Sequence, residues 1–204
     1  LQRFVFEFGV IPVELVNALE NLGSDQLSVY ATVLTSMFMH GGWAHILGNM
    51  LFLWIFGDNI EDALGHINYL PFYLLGGLGA VAGQVIFNPE STVPMVGASG
   101  AISAVMAAYL FLFPNGTVRV LIFIGLPFIF LVPAVLMIGV WILTQFLSGI
   151  ASIGVATEAS GGVAFWAHVG GFVTGAIAVF FFRDPNAVQR QKVARSSRRA
   201  FHRW

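Results

Sequence analysis

The chain contains no cysteine and very little charge: among 204 residues there are 9 Lys and Arg and 10 Asp and Glu. The missing thiols exclude disulfides, thiolate nucleophiles and zinc–thiolate centres. The scarcity of charge excludes an ordinary soluble domain. Charged residues are 9% of this chain, against about 25% in soluble proteins. Hydrophobic residues make up 57% and the mean hydropathy is +0.83. One core cannot hide that much apolar surface and still present a wet exterior. The composition is that of an integral membrane protein. A nucleic-acid partner is also unsupported, because the basic residues gather at one end without interleaved aromatics or a folded module around them. The sequence begins at Leu1, and the expectation is that natural chain precedes it.

What is present is a set of long charge-free stretches: 26–57, 63–89, 91–118, 120–157 and 159–182. A spanning helix needs roughly 20 mostly apolar residues. The stretches therefore predict five spans, at 33–56, 68–87, 97–113, 128–147 and 163–182, with a bend at Pro133. Strict alternation in short segments, the mark of a membrane barrel, is missing, so the fold class is all-α, a polytopic transmembrane helix bundle. Residues 1–32 are apolar but broken by Glu7, Pro12 and Glu14, and are expected as a loop on the outer interface. The basic residues of 183–204 (Arg183, Arg190, Lys192, Arg195, Arg198, Arg199 and Arg203) predict a cytoplasmic tail. Read as a plasma-membrane topology of a prokaryote, this turns His40, Ser99 and His168 to the outward-facing ends of their helices.

Polar side chains inside such spans are costly and are functional candidates by default. Three clusters stand out. "MHGGWAHILGNMLF" holds His40, His45 and Asn49, the last two on one helix face. "PMVGASGAISA" places Ser99 between small residues, and "WAHVGGFVTGA" places His168 near a helix start. Ala167, Gly171 and Gly175 recur every four residues, as do small residues around Ser99, so two helices can approach closely there. Close approach brings Ser99 within reach of His168 as its base. Asn49, His45 and the Ser99 backbone N–H are then candidate oxyanion donors. Other readings stay open: Ser99 as packing or cap, and His40, His45 and His168 as a proton path or a zinc site, though no carboxylate lies near them in sequence. A transporter predicts polar residues continuing across the membrane, whereas the inner halves ("LFLWIF", "AVFFF") are apolar.

Together "HGGWAHILGN", "GASGA" and "AHVGGFVTG" resemble, in order and spacing, the rhomboid family of intramembrane serine proteases, over about 8–182. "FGDNIEDALGH" is similar to that family's turn between its helices. The resemblance implies a Ser99–His168 dyad with His45, Asn49 and the Ser99 N–H at the oxyanion, cleaving transmembrane segments near the outer leaflet without a metal or organic cofactor. It implies supporting roles for His40 and Gly97, a lateral gate carrying Trp141 and Phe146, and a cap formed by 148–162. It implies a six-helix core whose first helix precedes Leu1 or is truncated there. Transmembrane proteins are the implied substrates, with the bilayer as the other partner. The small-residue faces at Gly79–Gly83 and Gly171–Gly175 are assigned to packing within the bundle, so no oligomer is required. A catalytically inactive client-binding relative is the alternative. The sequence departs from the pattern at Ser103, where many members carry an aromatic against the catalytic histidine, and at Phe165, where some relatives are polar.

Overall fold

The computed structural model describes residues 2–21, 26–153, 163–191 and 193. The order is α1 (Gln2–Phe8), α2 (Pro12–Glu20), α3 (Leu27–Thr35), a 3-10 turn (Ser36–Phe38), α4 (Trp43–Leu64), α5 (His66–Phe87), α6 (Ser99–Leu112), β1 (Thr117–Ile124), β2 (Leu126–Pro133), α7 (Ala134–Ser152) and α8 (Phe165–Phe182). The chain is mostly helical, and α5, α7 and α8 are each long and apolar enough to cross a membrane. The architecture is a polytopic helix bundle.

α6 is the axis of the bundle. Every residue from Gly100 to Tyr109 is buried, and Leu112 with them. A helix buried on all sides is apolar on all sides, which is why this segment shows no amphipathic stripe. Its neighbours approach through small residues. A methyl on Gly171 would meet the Gly100 carbonyl, and one on Gly175 would meet the Ala104 backbone. These contacts advance together in steps of four, so α6 and α8 run parallel with both N-termini at the same end. α5 packs antiparallel to both: Gly76 lies against Ala104, Gly79 against Thr174 and Gly83 against Gly170. Lipid chains offer no hydrophobic drive for helices to associate, so close packing of this kind holds them together.

Two expected segments are corrected. The continuous helix expected at 33–56 is broken. α3 ends at Thr35, and α4 begins only at Trp43 and runs on to Leu64. Gly41 and Gly42 interrupt the helical run, and His40 lies in the gap. The helix expected at 128–147 begins instead at Ala134, with Pro133 as its N-cap rather than a bend inside it. The residues before it form an antiparallel hairpin, registered from Thr117 opposite Pro133 to Ile124 opposite Leu126 and turning at Gly125 (φ +76°). Val118, Val120, Ile122, Phe128, Ile129, Phe130 and Val132 are β-branched or aromatic, which favours strands. Pro127 and Pro133 each disfavour the α conformation in the residue before them. The hairpin lies at the end of the bundle away from the N-terminus of α6, with apolar side chains exposed on both faces, among them Ile122, Phe123, Phe128 and Ile129.

The N-terminal residues clamp the segment that leads into α6. Val10 and Met95 exchange backbone hydrogen bonds of 3.0 and 2.7 Å, and Val13 N–H donates to the Ser91 carbonyl. Gly97 N–H donates to the Ser36 carbonyl at 2.8 Å. At the opposite end, Asp184 N–H donates to the Ala63 carbonyl, and Gln191 Nε2 donates to the Asn59 carbonyl and to Asp62. The start of the basic tail is thus docked on the end of α4. Lys192, Arg195, Arg198, Arg199 and Arg203 lie outside the described residues.

The seam makes a contrast measurable. Gly171→Ala and Gly175→Ala force α8 off α6 and are expected to lower the unfolding free energy by about 1–3 kcal/mol each. Gly139→Ala on α7, where nothing lies within 4 Å of the added methyl, is expected to be neutral or stabilising by about 0.5–1 kcal/mol. Reversible unfolding in mixed micelles reads both, and equal effects at the three positions would contradict the packing account.

Candidate active site

Ser99 is the first residue of α6, after the N-cap Ala98. A helix start leaves its first N–H groups without intrahelical acceptors. The Ser99 hydroxyl and its own N–H therefore lie together at the mouth of a buried helix. His168 is in the first turn of α8. The α6–α8 seam brings His168 Nε2 to 2.8 Å from Ser99 Oγ. The side chains face a cavity of about 540 Å³, lined by His45, Asn49, Ser99, Trp141 and His168 among others, with no Asp, Glu, Lys or Arg among its described lining residues.

His45 and Asn49 reach the same cavity from α4. Gly41 N–H donates to His45 Nδ1 at 3.3 Å, which leaves the proton on Nε2, free to donate. Asn49 is buried, and its Nδ2 has no hydrogen-bond partner among the described residues. Both groups converge on the backbone just ahead of Ser99. A Cβ at Gly97 would lie 2.7 Å from His45 Nε2 and 3.6 Å from Asn49 Nδ2, and Gly97 has φ +129°. Any other residue there is strained and fills the space the two donors face. His40 stacks edge-on against His45, ring centroids 5.2 Å apart, and its Nε2 is likewise buried without a partner among the described residues. Among the described residues no three His, Asp or Glu side chains are grouped to hold a metal.

The support of His168 differs from the sequence expectation. Ser103 supplies no ring and bonds within its own helix, its Oγ donating to the Ser99 carbonyl at 2.6 Å. The aromatic contact comes from α7 instead: Trp141 lies with its ring centroid 5.4 Å from that of His168. Gln145, one turn further along α7, places Oε1 2.8 Å from His168 Nδ1. Sequence reasoning missed this residue. It also missed Gln84 on α5, whose Oε1 accepts from the Ala167 N–H at 3.3 Å in a buried setting, sharing that donor at the start of α8 with the Ala164 carbonyl at 3.1 Å. The available signal was an i, i+4, i+8 face: Trp141, Gln145 and Gly149, the last packed on Trp166. Phe146 is exposed at its outer side and meets Trp166 edge-on at 6.0 Å. Of the cap expected at 148–162, residues 154–162 lie outside the described residues.

Comparison with known proteins places this geometry in context. The rhomboid domain family model matches residues 28–185. RHOMBOID-like protein 12, mitochondrial, of Arabidopsis thaliana is 30% identical over 178 residues, 79% of this chain and 48% of that protein. Rhomboid protein 1, mitochondrial, of Saccharomyces cerevisiae is 29% identical over 189 residues, 88% of this chain and 50% of that protein. Rhomboid protease GluP of Bacillus subtilis is 35% identical over 79 residues, 39% of this chain and 15% of that protein. The chain thus spans about half the length of the mitochondrial relatives it matches. Those relatives overturn the expectation of a prokaryotic plasma membrane with a cytoplasmic tail, and point to an organellar membrane.

Gln84→Leu is the sharpest structural test here. It removes one of the two acceptors of the Ala167 N–H and leaves the other, the Ala164 carbonyl at 3.1 Å, and is expected to cost no more than about 1 kcal/mol of stability. Thermal unfolding of parent and variant in the same detergent reads it, and a loss of several kcal/mol would show that Gln84 holds α5 and α8 together by more than this shared hydrogen bond.

Proposed function

As the chain belongs to the rhomboid family, we propose that it is an intramembrane serine endopeptidase working through a Ser99–His168 dyad. The observation that carries the reading is the 2.8 Å contact between Ser99 Oγ and His168 Nε2, made inside a cavity that also collects donors. Serine becomes a useful nucleophile when an adjacent base takes its proton. Ser99 Oγ attacks a peptide carbonyl while His168 Nε2 accepts the hydroxyl proton. The negative charge that develops on the carbonyl oxygen is met by Asn49 Nδ2, His45 Nε2–H and the Ser99 N–H. His168 then gives its proton to the leaving amine, and water entering the cavity hydrolyses the acyl-enzyme by the same base.

The substrate class proposed is a transmembrane segment of another membrane protein. Its backbone is fully paired while helical, so it must unwind before a carbonyl is accessible, and helix-breaking residues in the substrate favour that. Entry is proposed beside α7, past Trp141 and Phe146, because α7 is the least buried of the three long apolar helices. Residues 1–182 are taken as the membrane unit. The mechanism needs no metal or organic cofactor, and an organellar membrane is the proposed location, from the printed names of the mitochondrial relatives.

Purified chain in liposomes with a single-span substrate tests the proposal. The parent is expected to cleave, and Ser99→Ala and His168→Asn to be silent at unchanged thermal midpoints. Asn49→Ala is expected to lose on the order of 10²–10³ in kcat. A folded parent that cleaves no substrate and takes up no fluorophosphonate at Ser99 would move the chain to the inactive, client-binding class.

A further inference from the structure

The mechanism above requires one particular tautomer of His168. Nε2 must carry a lone pair toward Ser99 Oγ, so the ring proton must sit on Nδ1. A neutral imidazole has no intrinsic reason to keep it there. The partner of the second nitrogen decides. In this chain that partner is an amide. Gln145 Oε1 lies 2.8 Å from His168 Nδ1, and an amide oxygen only accepts. We infer that Gln145 is a positioning residue that holds the Nδ1–H tautomer of His168 and aims its ring at Ser99, completing a Ser99–His168–Gln145 relay. The inference rests on the protease reading for its use and on geometry for its existence.

Three further observations support it. Gln145 is held between neighbours: Trp141, one turn earlier, packs on the His168 ring, and Gly149, one turn later, lets α7 close on Trp166. A ring bonded at both nitrogens and contacted by the tilted Trp141 ring has little freedom to rotate. The amide is also oriented from its other end, as Gln145 Nε2 donates to Thr144 Oγ1 at 3.4 Å, leaving Oε1 for the histidine. Finally, no carboxylate lines the described part of the cavity, so no negatively charged acceptor competes for Nδ1–H. A neutral amide fixes the tautomer without adding a buried negative charge, which would be expensive at this depth.

The test uses the full chain in nanodiscs with two independent readouts. The first is ¹⁵N-histidine NMR, with the His168 signal assigned by its loss in His168→Asn. The parent is expected to show a protonated Nδ1 and an unprotonated Nε2, and Gln145→Leu to shift the population toward the other tautomer. The second is kinetics. Gln145→Leu is expected to lower kcat by on the order of 10- to 10²-fold while KM stays within about twofold, and Gln145→Glu, which keeps an accepting oxygen, to recover most of the rate. Thermal midpoints check that all variants fold. A parent whose His168 is protonated at Nε2 overturns the inference, whatever the activity. So does Gln145→Leu with unchanged kcat, or with a change in KM alone, which would make Gln145 part of substrate passage. A parent no faster than Ser99→Ala overturns the protease reading instead, and the NMR result still decides the role of Gln145.

Discussion

The site depends on one contact that contains no polar side chain: the backbone-to-backbone approach of α6 and α8. Gly171 faces the Gly100 carbonyl and Gly175 faces Ala104. His168 is one turn ahead of Gly171, and Ser99 is next to Gly100. The spacing of the helices therefore sets the spacing of the dyad. A hydrogen bond weakens steeply beyond its narrow range of distance, so a seam widened by even one methyl group would part the two residues. The geometry of the Ser99–His168 pair is built here from the absence of side chains.

The same helix sets the depth of the chemistry. With fourteen residues, α6 is about 21 Å long, less than the roughly 30 Å of a bilayer's hydrocarbon core. A central helix this short cannot bring both its ends to the membrane surfaces, and the cavity at its first residue gives water a place to reach Ser99. The His45 and Asn49 side chains keep that cavity polar, and Asn49 Nδ2, buried without a partner among the described residues, is the expected cost of a site that the proposed function would hold ready for a negative charge.

Much of this was legible in the sequence. Ser99, His168, His45 and Asn49 stand out because a polar residue in an apolar run has few structural excuses. The four-residue recurrence of Ala167, Gly171 and Gly175 announced the seam. The hairpin was not legible from charge-free stretches, because a count of missing charges does not separate strand from helix. Its β-branched residues and Pro127 carried that information. Gln145 and Gln84 were passed over because an amide is only mildly polar, and its importance lies in a partner 23 or 83 residues away. Ser103 marked a missing support for His168, but nothing local said that Trp141 would supply it from another helix.

The placement of Gln145 and Trp141 on α7 has a consequence for timing. In the proposed function, the helix that borders the route into the cavity is also the helix that steadies the base. On the proposed route of entry, a displacement of α7 wide enough to admit a guest would strip His168 of the Gln145 acceptor and the Trp141 ring contact in the same movement. The proposed protease would then be idle whenever its side is ajar, and competent only after closing around what it has admitted. Passing lipids and half-entered helices would meet a disarmed serine, and selection would be exercised twice, once at admission and once at re-arming.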